Sequence, residues 1–390
     1  MRYASLFSGI GGLESDQHLP EYFCESDPAC QSVLSARHPE VPIVRDIRSA
    51  PTPKIDVCVG GWPCQDLTAA GRQIGLGGQH SSLFFDMVNL AKVSRAETLI
   101  GENVPNLIRL RGGDEFRLVL ETLEAAGFRN IAWRLLNARE FGLPQDRNRL
   151  VIVASKDKQA ALSIHRLIPR STVHPPNGTV MASGFYWTGG LQSICYSEDY
   201  VPALKVGASP PKGGTSPVAV TYGNVVRKLS PKEALALQGF SWDGFSEVAN
   251  DGDVYRMAGN AVPLPMGAFA VGSATFNGQI GITLSEARNF CKSGCLLSGR
   301  LYAVEHQADL SSAPLSSVLD LDSSDSLSPQ AAAGLLTRLI KSNRRIPIGL
   351  FDLLYNLSLS RTPLRGTKID SFKILHEELD PLDYRNAIRC

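Results

Sequence analysis

The sequence has no apolar run approaching the 18 or so residues that a membrane span needs. The apolar stretch at its start is too short for a secretory signal peptide. No cysteine pair has the Cys-x-x-Cys spacing of a zinc site, and no internal repeat is visible. These absences, in a chain of 390 residues that is 43% hydrophobic, predict an ordinary cytoplasmic globular protein without metal. Its eight cysteines are expected to be reduced thiols.

The formal net charge is only +1, which neither favours nor excludes a nucleic-acid partner. Residues 156–228 are the basic part of the chain, with eight Lys or Arg against three Asp or Glu. This local excess suits a phosphate-bearing partner, and a solvated loop region would look similar.

Short apolar runs alternate with helical patterns over the first 155 residues. This alternation is typical of an α/β fold with a doubly wound, mainly parallel sheet. The predicted strands are residues 3–7, 22–25, 56–60, 98–101, 131–136 and 150–154. The predicted helices are residues 28–37, 82–93 and 114–126, the last of them ended by Gly127.

The amino-acid composition of the chain changes after residue 155. Residues 156–225 are rich in Gly, Pro, Ser and Thr and predict a smaller, loop-rich lobe. Within residues 226–274, a capped helix pattern runs from Ser230 to Gly239. Residues 275–390 predict a C-terminal helical appendix. Within it, a serine-rich linker over 311–328 precedes helices over 329–343 and 347–357.

Cys64 is a candidate nucleophile because of its place in the sequence. The apolar residues 55–59 are stopped by Gly60 and Gly61, which indicates a buried strand that opens into a loop. Loops of this kind carry the reactive groups of α/β enzymes. A lone free cysteine is more commonly a small core residue, so the case for Cys64 depends on the motifs around it.

Three predicted strand ends carry groups suited to a nucleoside. Gly9, Gly11 and Gly12 follow the first strand, where glycines let the backbone approach a ligand and present amide groups. Glu25 ends the second strand, where a carboxylate typically accepts hydrogen bonds from a ribose diol. Asp46 is placed to meet an adenine amine. Each acid alone fits a solvated loop charge, but the three strand ends together predict a cofactor pocket.

Two further segments carry polar groups next to apolar strands. Glu102 follows the apolar residues 98–100, where burial can raise a carboxyl pKa and suit the group to donate a proton. Arg147 and Arg149 precede the strand at 150–154 with i, i+2 spacing. In an extended segment both would face one side, suited to phosphate or to orienting a carboxylate. A solvated strand entrance is the alternative.

The segments described above, in their order along the chain, resemble the successive motifs of the cytosine-C5 DNA methyltransferase family. The matching stretches are Phe7-Ser8-Gly9-Ile10-Gly11-Gly12, Pro63-Cys64-Gln65, Glu102-Asn103-Val104, residues 145–149, residues 227–240 and Gly259-Asn260-Ala261-Val262. The resemblance covers residues 2–272. It implies a Rossmann-like methyltransferase core over 1–155 that is completed by 226–274, with a target-recognition lobe over 156–225.

The resemblance implies catalytic roles for four residues. Cys64 would add to C6 of a flipped-out cytosine, which makes C5 nucleophilic. Glu102 would hold the cytosine N3 and exocyclic amine. Arg147 would steady the base and Glu102, whereas Arg149 would be structural or touch phosphate.

The implied methyl donor is S-adenosylmethionine, and no metal is implied. Phe7 would lie against the adenine, Glu25 would hold the ribose, and Asp46 with Ile47 would hold the adenine edge. The other implied cofactor contacts are Gly9, Gly11, Gly12, Pro63, Leu83, Asn260 and Val262.

The implied partner is double-stranded DNA, with no membrane. The candidate DNA contacts in the lobe are Tyr186, Trp187, Lys205, Lys212 and Gly213-Gly214. For the two aromatic residues, packing in the lobe core is an equal alternative. The resemblance further implies a monomeric, nucleoid-associated enzyme of a restriction-modification or phage-defence setting, with a cognate restriction or defence protein as a possible partner.

Two other functions stay open at this point. The same thiolate chemistry would serve a tRNA cytosine-5 methyltransferase. A non-catalytic DNA-binding relative is suggested by Ser5, which stands where the family commonly has Asp, and by the short segment between Gly12 and Glu25. That segment predicts a stunted helix, because Pro20 ends it early.

Overall fold

The computed structural model describes residues 1–14, 18–63, 76–78, 81–169, 180–187, 194–205, 216–306, 308–323, 326–341 and 347–359. The strands in this part of the chain are β1 (Tyr3–Leu6), β2 (Phe23–Cys24), β3 (Ile43–Val44), β4 (Val57–Gly61), β5 (Thr98–Asn103), β6 (Asn130–Asn137), β7 (Gln145–Asp146), β8 (Asn148–Ser155), β9 (Ala182–Tyr186), β10 (Ser197–Glu198), β11 (Val201–Pro202), β12 (Val218–Tyr222), β13 (Val225–Lys228), β14 (Leu284–Glu286), β15 (Ser293–Leu297) and β16 (Arg300–Val304). The helices are α1 (Pro28–Arg37), α2 (Leu83–Val93), α3 (Asp114–Ala125), α4 (Lys158–Leu162), α5 (Pro231–Ala236), α6 (Asp251–Asn260), α7 (Leu264–Val271), α8 (Pro329–Lys341) and α9 (Ile348–Leu359).

A ten-stranded sheet forms the centre, in the order β14-β16-β15-β6-β8-β5-β4-β1-β2-β3. The five strands from β3 to β5 run parallel, and β8 is antiparallel to both of its neighbours. Alternate side chains of one strand face opposite layers. Ile152 packs with residues of α2 and α3, whereas Val151 and Val153 pack with residues of α4 and α7. The predicted doubly wound, mainly parallel α/β sheet is therefore confirmed.

The regular elements of the first 155 residues follow the predicted pattern. Each predicted strand and helix is present, with ends that agree to within two residues. The short strands β3 and β7 were not predicted. Between β1 and β2, the described residues form turns and no helix, as the early Pro20 indicates.

The second lobe is more regular than its composition predicts. Four antiparallel strands form a sheet in the order β10-β9-β12-β13. The lobe does not follow the predicted boundaries, because α4 packs on the central sheet and β13 continues to Lys228. The glycine, proline and serine content therefore predicted too little regular structure in this lobe, because its strands are short and long connections separate them.

The C-terminal extension is not a purely helical appendix. Strand β15 pairs with β6, and β16 and β14 continue the central sheet beyond it. Ser298 and Gly299 join β15 to β16 with positive φ angles of 48° and 77°. Such angles at both turn residues are typical of a two-residue hairpin loop. The Ser-Gly pair was therefore a hairpin signal that the helical prediction overlooked.

The predicted serine-rich linker also differs from the structure. Its apolar residues Ala313, Leu315, Leu319 and Leu327 are buried in the second lobe or beside it. Burial of these side chains fixes the course of the segment. The two helices predicted after it are present as α8 and α9.

The cysteines agree with the expectation of reduced thiols at five positions. Cys24, Cys30, Cys58, Cys291 and Cys295 are free. Cys195 is disulfide-bonded, which contradicts that expectation.

The segment after the second lobe returns to complete the glycine loop of β1. A β-carbon at Gly267 in α7 would lie 1.8 Å from the Gly12 carbonyl oxygen, and one at Gly12 would lie 2.5 Å from the Val262 carbonyl oxygen. Both positions therefore need glycine, because backbone meets backbone there. The predicted return of residues 226–274 to the core takes the form of a direct contact of Val262 and α7 with the glycine loop after β1.

This contact predicts the effect of adding one methyl group. Gly267→Ala should lower the free energy of unfolding by about 3 kcal/mol, because the new β-carbon overlaps backbone that has no side-chain freedom to yield. Gly349→Ala in α9 is the matched control, since a β-carbon there meets nothing within 4 Å. Urea denaturation of both variants measures the difference. Equal stability of the two would contradict the close approach.

Candidate active site

The candidate nucleoside pocket lies at one edge of the parallel sheet. Leu6 pairs with Cys24, and Cys24 pairs with Val44, so the three strands end side by side. Phe7 and Glu25 directly follow these paired residues, and Asp46 follows two positions after Val44. The structure therefore brings Phe7, Glu25 and Asp46 to the same edge, as the sequence predicts.

Glu25 is held in place by backbone amides. Its Oε2 accepts from Gly9 N at 2.7 Å, and its Oε1 accepts from Asp27 N at 2.8 Å. Burial raises its pKa, and these amides act in the opposite direction. A carboxylate has about four acceptor sites, so a ribose diol can still bind the remaining lone pairs.

The loop above Glu25 leaves room for a ligand. A β-carbon at Gly9 would meet nothing within 4 Å, so the missing side chain faces open space. Phe7 adopts a positive φ of 52°, which is unusual for a residue with a side chain and marks a constrained turn. Asp46 caps the short turn that contains Ile47, and its side chain is exposed. The open space at Gly9 and the remaining acceptor sites of Glu25 leave room for a ligand that carries hydrogen-bond donors.

The remaining predicted cofactor residues come from three places. Leu83 begins α2, Pro63 follows β4, and Asn260 and Val262 lie at the end of α6. Asn260 is exposed, whereas Val262 is buried. Val262 meets Gly12 backbone to backbone. Gly12 therefore serves packing as well as any ligand contact.

Ser5 has a carboxylate beside it that sequence reasoning missed. Ser5 Oγ donates to Glu14 Oε1 at 2.7 Å, beneath the glycine loop. Burial raises the pKa of Glu14 to about 7. Glu14 Oε2 has no hydrogen-bond partner among the described residues. The change at Ser5 therefore does not leave the loop without an acid, because Glu14 lies beside Ser5.

The raised pKa of Glu14 predicts a pH-dependent stability difference. An acid with a raised folded-state pKa opposes folding once it ionises, so this cost is absent below about pH 4 and grows as pH rises through 7. Glu14→Gln removes the ionisation and keeps the acceptor for Ser5. We expect the variant to gain up to about 3 kcal/mol over the parent at pH 8 relative to pH 4.

Thermal and denaturant unfolding at both pH values measure this gain. The matched control is Glu121→Gln on the exposed side of α3. An equal pH response of parent and Glu14→Gln would show that Glu14 is not a buried acid.

Glu102 lies at the end of β5, next to β4. Gly61 of β4 is its direct neighbour in the sheet, and a β-carbon at Gly61 would lie 2.7 Å from Glu102 Oε2. Burial raises the pKa of Glu102, and Arg149 and Arg147 oppose this shift. Burial therefore favours the protonated carboxyl, which is the direction that the sequence predicts.

The two arginines divide their roles differently from the prediction. Arg149 Nε pairs with Glu102 Oε1 at 2.9 Å. Arg147 is fully buried and donates to the carbonyls of Leu204, Gly259 and Ala261 at 2.7 to 2.9 Å. Arg149 therefore steadies Glu102, and Arg147 joins the second lobe to the returning segment. The roles differ because of the backbone carbonyls that surround Arg147. The i, i+2 spacing alone does not distinguish the two arginines.

Cys64 itself lies outside the described residues, but the chain on either side of it is anchored. Asn103 Nδ2, next to Glu102, donates to the Trp62 carbonyl at 3.1 Å. Leu76 N donates to the buried Glu115 Oε2 at 2.7 Å. Pro63 thus leaves the sheet beside Glu102. Asn103 belongs to the Glu102-Asn103-Val104 motif, and Glu115 had no sequence signal beyond its helical pattern.

The candidate DNA contacts of the lobe separate into two groups. Tyr186 is buried and its hydroxyl donates to the Ala203 carbonyl, so it packs in the lobe core. Trp187 is half-buried and its Nε1 donates to the Ser216 carbonyl at 2.8 Å. Lys205 is exposed, with Nζ 4.3 Å from the Tyr186 ring centre. Lys212 and Gly213-Gly214 lie outside the described residues.

Within the described ranges, no helix is both long and apolar enough to span a membrane. No group of three or more His, Cys, Asp or Glu there could hold a metal ion.

The family model for C-5 cytosine-specific DNA methylases matches residues 1–184 and 205–275. This chain belongs to that family. Methylation of cytosine C5 in DNA is the function that this membership gives it. The family match ends before β14, so the β-hairpin and the helices α8 and α9 lie outside it.

Curated relatives agree with the family match. The chain is 36% identical over 285 residues to type II methyltransferase M2.BsuMI of Bacillus subtilis (strain 168), covering 67% of this chain and 72% of the relative. It is 27% identical over 302 residues to M.Bsp6I of Bacillus sp. (strain RFL6), covering 68% and 96%. It is 29% identical over 290 residues to M.NgoBI of Neisseria gonorrhoeae, covering 67% and 89%.

The different surroundings of the two arginines predict different defects. Arg147→Met should cost about 3 kcal/mol of stability, because three buried carbonyls lose charged donors. Arg149→Met should stay folded and lower kcat by about tenfold to a hundredfold, because Glu102 loses its orienting partner. Its alkaline kcat limb should also move to higher pH, because removing the cation raises the Glu102 pKa further.

Unfolding curves and pH–rate profiles of both variants provide the measurement. The opposite pattern, with Arg149→Met unfolded and Arg147→Met stable but slow, would restore the roles expected from sequence.

Proposed function

We propose that this chain is an S-adenosylmethionine-dependent DNA (cytosine-5-)-methyltransferase that acts on a flipped-out cytosine of double-stranded DNA. The observation that carries the proposal is the shared edge of the parallel sheet. A nucleoside pocket at β1, β2 and β3 lies at the same edge as the Glu102–Arg149 pair and the strand that leads to Cys64.

The methyl donor is assigned to the pocket around the glycine loop. Phe7 would lie against the adenine, Asp46 and Ile47 would hold its edge, and Glu25 would bind the ribose hydroxyls. Gly9 and Gly11 would present backbone, and the remaining sides would be closed by Asn260, Val262, Leu83 and Pro63. When bound, S-adenosylmethionine supplies the electrophilic methyl group.

The thiolate of Cys64 starts the reaction by forming a bond to cytosine C6. Glu102 donates a proton or a hydrogen bond to N3, so the electron pair of the C5–C6 double bond becomes available at C5. Arg149 holds the Glu102 carboxyl at the base, and Asn103 holds the backbone that leads to Cys64. After C5 is methylated, loss of the C5 proton restores the double bond and expels the Cys64 thiolate.

The base must leave the duplex for this geometry to form. Glu102 lies in a buried strand end with its side chain about one-tenth exposed, where a stacked base pair has no access. Flipping the cytosine into the pocket costs a few kcal/mol of stacking and pairing, which protein contacts replace.

The biological setting is proposed from the relatives. The three relatives described above are named type II methyltransferases. A monomer in a restriction-modification or phage-defence system fits these names, with a cognate endonuclease as partner. In this setting the enzyme acts at the nucleoid in the cytoplasm.

The direct test is methyl transfer from labelled S-adenosylmethionine to duplex DNA of mixed sequence. The parent should label DNA, Cys64→Ser should lose the signal, and Glu102→Gln should lower kcat by about a hundredfold or more. Bisulfite sequencing of the product then locates the methylated cytosines. If calorimetry shows that the parent binds S-adenosylmethionine but the parent labels no DNA, the proposal is contradicted.

A tRNA arm of the same assay addresses the RNA alternative. The family match and the curated relatives favour DNA. Preferential labelling of tRNA would reverse that choice. A parent that binds no S-adenosylmethionine at all would instead favour the non-catalytic relative.

A further inference from the structure

The chain after residue 312 is built into the second lobe. Leu315 N donates to Asp199 Oδ1 at 3.1 Å, and Leu327 N donates to the Val226 carbonyl at 2.8 Å. Between them, the backbone of Asp320 joins the buried ion pair of Arg227 with Glu233. The Arg227 guanidinium holds the pKa of Glu233 below its usual value. The segment is thus fastened along the lobe by a charged network.

Helices α8 and α9 cover one face of the lobe sheet. Phe185, Ala219 and Val226 of three neighbouring strands pack against apolar residues of both helices. The helix residues in this cluster are Ala332, Leu335, Leu336, Leu339, Leu350 and Leu354. The opposite face, with Val218 and Val220, packs on α5 and α6. A sheet needs a layer on each apolar face, so the lobe is complete only with the C-terminal helices.

Arg338 of α8 reaches one end of this sheet. Its Nη2 donates to the Trp187 carbonyl at 2.6 Å, directly after β9. Trp187 N donates to the Pro217 carbonyl at 3.1 Å and its Nε1 to the Ser216 carbonyl, directly before β12. Arg338 therefore holds the residue that fastens the end of β9 to the start of β12.

Two lysines lie at this same end of β9. Lys228 Nζ is 4.7 Å from the Trp187 ring centre, and Lys205 Nζ is 4.3 Å from that of Tyr186. Tyr186 is the last residue of β9, and Trp187 directly follows it. Tyr186 packs with Val218 and Val220 on one face of the sheet, and Trp187 packs with Phe185 on the other. Each ammonium group stays within cation–π range of a fixed ring, which limits its side-chain freedom. Lysine ammonium groups held in this way suit contact with DNA phosphates.

We propose that the end of β9 forms a DNA-backbone-binding rim, with Lys205 and Lys228 as phosphate contacts and Arg338 as the positioning residue. The C-terminal helices are then part of the target-recognition lobe, although they lie outside the family match. This inference rests on the proposed function, because it takes duplex DNA as the partner.

The experiment measures DNA binding against salt concentration for the full-length parent and two variants. Lys228→Gln should weaken binding several-fold for all sequences. It should also make the slope of log K against log salt about one unit shallower, since one phosphate contact is lost. Arg300→Gln, an exposed cation on β16 at the far sheet edge, is the control and should leave the slope unchanged. An unchanged slope in Lys228→Gln overturns the rim.

The positioning role is tested with Arg338→Met, which keeps the length of the stem. We expect the KM for DNA to rise about tenfold and the preference among methylated sites in a randomised duplex library to relax. The KM for S-adenosylmethionine and the kcat at saturating DNA should stay within twofold. Unchanged KM for DNA and unchanged site preference would overturn this role.

The outcomes stay distinguishable from failure of the proposed function, because the parent must first methylate DNA. If Arg338→Met melts more than 10 °C below the parent, the half-buried Lys228 still decides the proposal through its salt slope. If the helix pair were purely structural, Arg338→Met would reduce the fraction of protein that is active without raising the KM for DNA. The active remainder would keep the site preference of the parent. That result would also overturn the proposal.

Discussion

One buried cation connects three parts of the chain that meet at the active site. The Arg147 guanidinium donates to backbone carbonyls of the second lobe, of the last turn of α6 and of the residue that follows α6. Removing a full charge from water is costly, and charged hydrogen bonds to fixed carbonyl dipoles offset that cost. Since Arg147 adjoins β8, which pairs with the Glu102 strand, the lobe is tied directly to the catalytic edge of the sheet.

Gln145 strengthens the same junction from two positions away. Its Oε1 accepts from Leu204 N, and its Nε2 donates to the Leu237 carbonyl. Both side chains are fully buried, and these hydrogen bonds join them to backbone groups of distant segments. The position of the lobe at this junction therefore depends on two long polar side chains. Arg149 lies nearer the surface and can act on Glu102 without carrying this structural role.

Much of the central sheet was predictable from sequence, and so was the set of residues that lie at its edge. Apolar runs ended by glycine or an acid located the ends of β1, β2, β4 and β5, because buried parallel strands have few other signatures. Gly127 indicated where α3 ends. The residues at the sheet edge were then predictable, because parallel strands place their last residues at the same edge.

Other features depend on contacts between distant segments and had no local signal. The division of roles between Arg147 and Arg149 is decided by carbonyls more than fifty residues away. The pairing of Ser5 with Glu14 depends on how the glycine loop folds back over β1. Strand β15 has no clear alternation of apolar and polar residues. Its pairing with β6 is what places it in the sheet. In each case the tertiary neighbour overrides the local pattern.

The approach of Gly12 to Gly267 also constrains the order of events during synthesis. The two residues emerge from the ribosome about 255 positions apart, on the order of 10 to 50 s at about 5–20 residues per second. Until α7 arrives, the loop after β1 lacks the wall that Val262 and Gly267 provide. A nascent chain therefore cannot complete the proposed methyl-donor pocket before the second lobe has been synthesised. On this proposal, a partly synthesised chain would not hold the donor before the lobe that is proposed to choose its DNA is present.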